Sequence, residues 1–93
     1  MIGSFKDKRT EQLFRNGRVR GFPADIVVRA RRKLTSLNAA HTLDDMWVPP
    51  SNRLEQLKAD RAGQHSIRIN DQWRICFRWS DGNAFDVEIC DYH

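Results

Sequence analysis

The letters "VEICDYH" place a carboxylate, a phenol and an imidazole at Asp91, Tyr92 and His93, directly after a stretch that alternates like a β-strand. These are parts for proton transfer, and the imidazole is the ring that changes charge near neutral pH. A second group carries positive charge: Lys58, Arg61, Arg68, Arg74 and Arg78 are spread over the same half of the chain, and a guanidinium fork matches the oxygens of a phosphate. Cutting an RNA backbone through its 2′-hydroxyl needs a base for that proton, an acid for the leaving 5′-oxygen and cations on the phosphoryl oxygens. The chain holds each of those types, and the scheme requires no metal. The plain alternative is a packing Tyr92, a solvated His93 and surface arginines neutralised by carboxylates; residue types alone do not separate the two.

The elements that must position these groups fit in one domain over residues 1–93, because a chain of 93 residues can bury one core and has no length for a second. A hydrophobic fraction of 40% with three Trp and five Phe excludes a disordered chain. No run approaches the ~18 apolar residues of a membrane span, and "MIGSFKDKR" lacks an apolar signal core, so the expectation is a cytoplasmic protein with no membrane partner. Cys76 and Cys90 lack metal-ligand spacing and suggest neither a disulfide framework nor a metal, and no cofactor motif is present. The net charge of +4 is segregated: through Lys33 ten Lys and Arg face three Asp and Glu, a net +7, whereas from Leu34 onward six face nine, a net −3. Arg18, Arg20, Arg29, Arg31, Arg32 and Lys33 therefore form a basic ridge suited to a polyanion, with solvated helix faces as the alternative.

"MIGSF" reads as a short edge strand. "KRTEQLFRNG" reads as a short helix with Thr10 as its N-cap and Gly17 as its stop. After Pro23, Ile26, Val27, Ala30, Leu34 and Leu37 recur at helical spacing. "HTLDDMWVPPSN" is a loop with Thr42 as a cap for at most a turn of helix. Beyond it the period changes to two: Ile67, Ile69, Trp73, Ile75, Phe77, Trp79, Phe85, Val87 and Ile89 form one apolar set over three strands, with "RLEQLK" as a less regular fourth. The fold class is α+β, helices first, then an antiparallel meander whose one face they cover.

Keeping the apolar set in register favours a three-residue loop, Ser80-Asp81-Gly82, with Trp79 opposite Asn83, Phe77 opposite Phe85 and Ile75 opposite Val87, over a two-residue Asp81-Gly82 turn. The same logic around Asn70-Asp71-Gln72 pairs Ile69 with Trp73 and Ile67 with Ile75, which sets Arg68 opposite Arg74. Like charges directly opposite repel by a few tenths of a kcal/mol or more, so the pair invites an anion, unless Asp86 and Glu88 neutralise Arg78 and Arg74 across the last strand. Trp73 and Trp79 follow the core parity. Cys76 and Cys90 point outward without opposing each other and are expected as free thiols.

The run "RLEQLKADRAGQHSIRINDQWRICFRW", followed by "DGNAFDVEICDYH", resembles the HigB branch of the RelE/ParE superfamily, and "MIGSF" and "NGRVRGFP" extend the likeness over nearly the whole chain. The resemblance implies a RelE-like fold and the toxin of a type II toxin–antitoxin pair, a ribosome-dependent mRNA endonuclease acting in the A site. It further implies a HigA-like helix-turn-helix antitoxin, with operator DNA contacted only through that antitoxin. Carried over by residue, the terminal motif falls on Asp91, Tyr92 and His93 and the basic strand positions on Lys58, Arg68 and Arg74. One departure stands out: where some members read "LHPLKGD" this chain reads "LEQLKAD", so Glu55 occupies the place of a catalytic histidine and Ala59 that of a glycine. Glu55 is a base candidate or a solvated carboxylate, and His65 is a second imidazole candidate. A ParE-like toxin that poisons DNA gyrase without cleaving RNA is the rival reading, and a basic nucleic-acid-binding module or inactive toxin a third, since fold alone does not set activity.

Overall fold

A computed structural model describes residues 1–91; the calls on Tyr92 and His93 lie outside the described residues. Two helices, α1 (Lys8–Asn16) and α2 (Ala24–Ala39), precede a four-stranded antiparallel sheet of β1 (Glu55–Gln56), β2 (His65–Arg68), β3 (Trp73–Ser80) and β4 (Asn83–Asp91) in the order β1-β2-β3-β4. The helices cover one face, and Leu13, Ile26, Ala30, Leu34 and Leu37 interlock there with Ile67, Ile75, Phe77, Val87 and Ile89. The opening residues run parallel to β4, bridging Ile2 to Ala84 and Phe5 to Val87. Gly3 sits so close to the Phe85 ring that a Cβ there would fall 2.4 Å from a ring carbon, which leaves room for glycine only.

Helix α1 begins one turn before the expected cap. Asp7, in extended conformation, accepts from the Thr10 amide at 3.2 Å and is the N-cap, while Gly17 closes the helix at φ 71° as its sequence position implies. Thr10, freed from capping, is fully buried and its hydroxyl accepts from the Ile89 amide at 3.1 Å, pinning α1 to β4. The expected "RLEQLK" strand shrinks to Glu55–Gln56, paired with Ser66 and His65.

The β2–β3 register is as anticipated: Ile67 opposes Ile75 and Arg68 opposes Arg74, with the Asn70 side chain accepting from the Gln72 and Trp73 amides across the turn. The β3–β4 register differs. Ser80 pairs with Asn83, Trp79 with Ala84 and Arg78 with Phe85, so the hairpin closes through the two-residue turn Asp81-Gly82, both at positive φ (50° and 78°). The parity conflict that argued against this turn is absorbed by a β-bulge between Cys76 and Arg78, where Asp86 takes φ 52° and an extra residue enters β4. Beyond the bulge Cys76 faces Glu88 and Ile75 faces Ile89. Ala84 consequently joins the core in place of Phe85, which lies half-buried on the other face beside Arg78.

Candidate functional site

On the sheet face away from the helices, Arg74 is buried to 9% exposure. Its Nε donates to the Ser66 hydroxyl at 2.8 Å, and its Nη2 donates to the Arg53 carbonyl at 2.7 Å. Arg53 turns that carbonyl inward because the short 3-10 turn Pro50–Asn52 ends on it in the left-handed conformation, φ 45°. A buried charge is tolerated only where hydrogen bonds replace water, and these acceptors are neutral, so they fix the fork without cancelling its charge. Glu55, opposite Ser66 on β1, stands 3.8 Å from Nη2 with half its side chain in solvent. Glu88 pairs with Arg61 and Lys6 instead of the anticipated Arg74, and the carboxylate beside Arg74 among the described residues is the half-exposed Glu55. Neither Ser66 nor the Arg53 carbonyl is marked by residue type as part of the site; only the parity of Ser66 with Arg74 carries a signal.

The other cations disperse. Arg78 lies four residues farther along β3, roughly 13 Å at strand rise, and pairs with Asp86 at 3.6 Å. Arg61 is engaged by Glu88 at 3.1 Å and by Gln64 at 3.1 Å. Burial pushes the Glu88 carboxyl up, but hydrogen bonds from Cys90, Lys6 and Arg61 hold it below the usual carboxylate range. Between this cluster and Arg74 lie Leu57, Cys76 and Cys90, a small second core; the cysteines are free thiols on the outer face, as expected, but buried there beneath Leu57 and its neighbours. Cys90 donates to Glu88 Oε1 at 2.8 Å. Lys58 is exposed and lines a shallow cleft with Glu55 at the sheet edge.

Asp91 closes β4 opposite Trp73, one position beyond the Arg74–Cys90 pair, so alternation sets it at the rim on the helix side. Gln72 Nε2 donates to its Oδ2 at 3.0 Å. His65 opposes Phe77, 5.9 Å between ring centroids, and so occupies the face opposite Arg74; burial lowers its pKa. The structure thus gathers Arg74, Glu55 and Ser66 and keeps His65 apart from them. Among the described residues no group of three or more His, Cys, Asp and Glu gathers that could hold a metal ion, and no helix is long and apolar enough to cross a membrane.

The basic ridge divides in two. Arg29, Arg32 and Lys33 line one cleft together with Arg68 from β2. Arg31 turns to the end of α1, donating to the Phe14 and Arg15 carbonyls at 3.2 and 3.3 Å. The helical repeat is the reason: positions 29, 32 and 33 share a stripe that position 31 leaves. Arg18 and Arg20 are exposed between the helices. Arg29 Nη1 donates to the Ile69 carbonyl at 3.0 Å, and Lys33 is hydrogen-bonded to the Asn52 side chain. Burial, then Arg29, Arg68 and Arg32, lowers the pKa of Lys33.

Comparison with known proteins follows this geometry. The HigB-like toxin family, described as "RelE-like toxin of type II toxin-antitoxin system HigB", matches residues 3–93. Toxin HigB-1 of Vibrio cholerae serotype O1 is 42% identical over 90 residues, covering 96% of this chain and 95% of the relative. Endoribonuclease HigB of Proteus vulgaris is 36% identical over 93 residues, covering both chains fully. In three dimensions the chain is similar to the toxin fold in the YoeB-YefM complex from Staphylococcus aureus, with a TM-score of 0.62 at 17% identity over 100% of this chain and 98% of that one. With two helices on an antiparallel meander and a family match across nearly its whole length, the chain belongs to the HigB-like family of RelE-like toxins of type II toxin–antitoxin systems.

Proposed function

We propose that this toxin is an endoribonuclease that cuts mRNA in the ribosomal A site, with Arg74 at the phosphate being cleaved. The observation that carries the reading is the buried Arg74 guanidinium, fixed by the Ser66 hydroxyl and the Arg53 carbonyl with the half-exposed Glu55 carboxylate 3.8 Å away, on the sheet face away from the helices. Preorganised donors of this kind stabilise charge that develops in the transition state without having to reorganise. The 2′-oxygen loses its proton to a base and bonds to phosphorus. The bond from phosphorus to the 5′-oxygen breaks, that oxygen takes a proton from an acid, and a 2′,3′-cyclic phosphate remains. Tyr92 and His93 are assigned the proton transfers on the family resemblance, Asp91 supports them from the rim, and exposed Lys58 adds charge at the same edge as Glu55. The 36%-identical relative named an endoribonuclease supports the reading.

Exposed Arg18 and Arg20 are assigned to the ribosome. The family supports an antitoxin partner, proposed as a HigA-like helix-turn-helix protein that alone contacts operator DNA, and action in the cytoplasm on ribosomes is part of the same proposal. The test is primer extension on translating ribosomes with purified protein. New 3′ ends in the A-site codon that disappear with Arg74→Ala support the reading; absence of cleavage together with inhibition of gyrase supercoiling would transfer the protein to the rival class.

A further inference from the structure

We propose that the cleft between α2 and the start of the β2–β3 hairpin seats a second phosphate of the same RNA strand that Arg74 holds, so that Arg68 joins substrate recognition to the face that cuts. This rests on the endoribonuclease reading and extends it to a new subsite. Four cations, Arg29, Arg32, Lys33 and Arg68, line a cleft of about 400 Å³, with the Ser36 and Ser51 hydroxyls as further donors and no Asp or Glu among the described residues of its wall.

Two of the four are fixed by neutral acceptors, Arg29 on the Ile69 carbonyl and Lys33 on the Asn52 amide oxygen. The Asn52 side chain is in turn held by the Met46 carbonyl at 3.1 Å and the Val48 carbonyl at 3.2 Å. These bonds aim the cations without discharging them. Asp71 pairs with Arg68, but its side chain is 99% exposed and easily exchanged for a ligand anion. Burial first, and then the neighbouring Arg29, Arg68 and Arg32 charges, lower the pKa of Lys33.

Convergence favours a compact, highly charged group over an acidic peptide, whose carboxylates are spread along its length and whose helix would not fit a cleft of this size. Position favours the substrate strand over ribosomal RNA. Arg68 and Arg74 are Cα partners across β2 and β3, about 4.5 to 5.5 Å apart for directly opposed residues. Beyond Ser66 β1 no longer pairs with β2, and the Pro50–Asn52 turn that packs there both presents the Arg53 carbonyl to Arg74 and forms a wall of the cleft, so a strand lying on Arg74 reaches the cleft by crossing that turn.

The experiment uses the full chain and a short fluorescent single-stranded RNA with every 2′-hydroxyl methylated, which binds without being cut, followed by anisotropy over a salt series. Arg32 is exposed and Lys33 half-buried, so Arg32→Ala and Lys33→Gln spare the core, with melting curves as the check; exposed Lys8→Ala is the charge-matched control. Arg32→Ala and Lys33→Gln should each weaken binding and reduce the slope of log K against log salt by about 0.7, the value for one lost phosphate contact on a single strand. Lys8→Ala should leave both unchanged. On ribosomes Arg32→Ala should raise KM and leave kcat in place.

Unchanged affinity and slope in both cleft variants would overturn the subsite. So would normal binding of the free RNA with lost ribosome association, which assigns the cleft to ribosomal RNA, or with lost antitoxin binding, which assigns it to an acidic protein surface. Failure of the underlying reading looks different: the wild-type chain would then leave mRNA on ribosomes uncut, or Arg74→Ala would cut as wild type, whatever the cleft variants do.

Discussion

Replacing Arg74 by Lys keeps the charge and removes the fork. In the native site Nε and Nη2 donate simultaneously to Ser66 Oγ at 2.8 Å and the Arg53 carbonyl at 2.7 Å. An ammonium at the end of a flexible stem cannot hold both lines and still present a planar edge to a phosphate. One hydrogen bond to a charged group, about 1.5 to 3 kcal/mol, is lost from the folded state. The transition state loses one preorganised contact, about 2.7 to 4 kcal/mol or two to three orders of magnitude in rate. Arg74→Lys should therefore cleave nearly as slowly as Arg74→Ala. Single-turnover cleavage on programmed ribosomes measures this, with thermal unfolding run alongside to show that the variant is folded. Arg74→Lys within about threefold of wild-type rate would refute the fork argument, since a point charge would then suffice.

Glu55→Gln should slow cleavage by less than about fivefold, the equivalent of the ~1 kcal/mol ceiling for a partly exposed ion pair; a loss of ~100-fold or more in single-turnover assays would make Glu55 the general base. Removing Tyr92 and His93 should abolish toxicity on induction while the melting curve persists, because the apolar residues of β4 all precede them; growth arrest by a folded truncated chain would sink the terminal assignment. Burial lowers the pKa of His65, so the unfolded chain takes up that proton first, and the contribution of neutral His65 to stability is lost as pH falls from about 6.5 toward the folded value. Melting temperatures at about pH 7.5 and about pH 5.5 should differ more for wild type than for His65→Gln, and an equal difference would remove His65 as the cause.

Much of the fold was legible because its signals are local. The period-two run from Ile67 to Ile89 requires a sheet with one covered face, the helical spacing from Ile26 to Leu37 requires a helix to cover it, and keeping Ile67 and Ile75 in register sets Arg68 opposite Arg74. The strand-end motif and the order of the basic residues were likewise enough to mark the resemblance to a toxin family. The Asp81-Gly82 turn was set aside because it broke the core parity, and nothing local announces the bulge that repairs it: Asp86 is held at positive φ by its place between β3 and the opening residues, where Ser4 Oγ accepts from its amide at 2.9 Å. That one inserted residue decides that Ala84 is core and Phe85 is not.

The site divides in the same way. Residue types named the cations, but which of them stay available is decided by partners far away in sequence: Glu88 engages Arg61, Asp86 engages Arg78, and α1 takes Arg31. The Arg53 carbonyl that fixes Arg74 comes from a proline-bounded loop with no periodicity to read, and His65 was separated from Arg74 by the face on which it falls. Sequence by itself determined the alternation, the helix stripe and the inventory of charged groups, because these depend on neighbours along the chain. Tertiary structure alone decided which charges are discharged and which are aimed, because that depends on distances of a few ångströms between residues dozens of positions apart, where burial and hydrogen bonding set the strength of every charge.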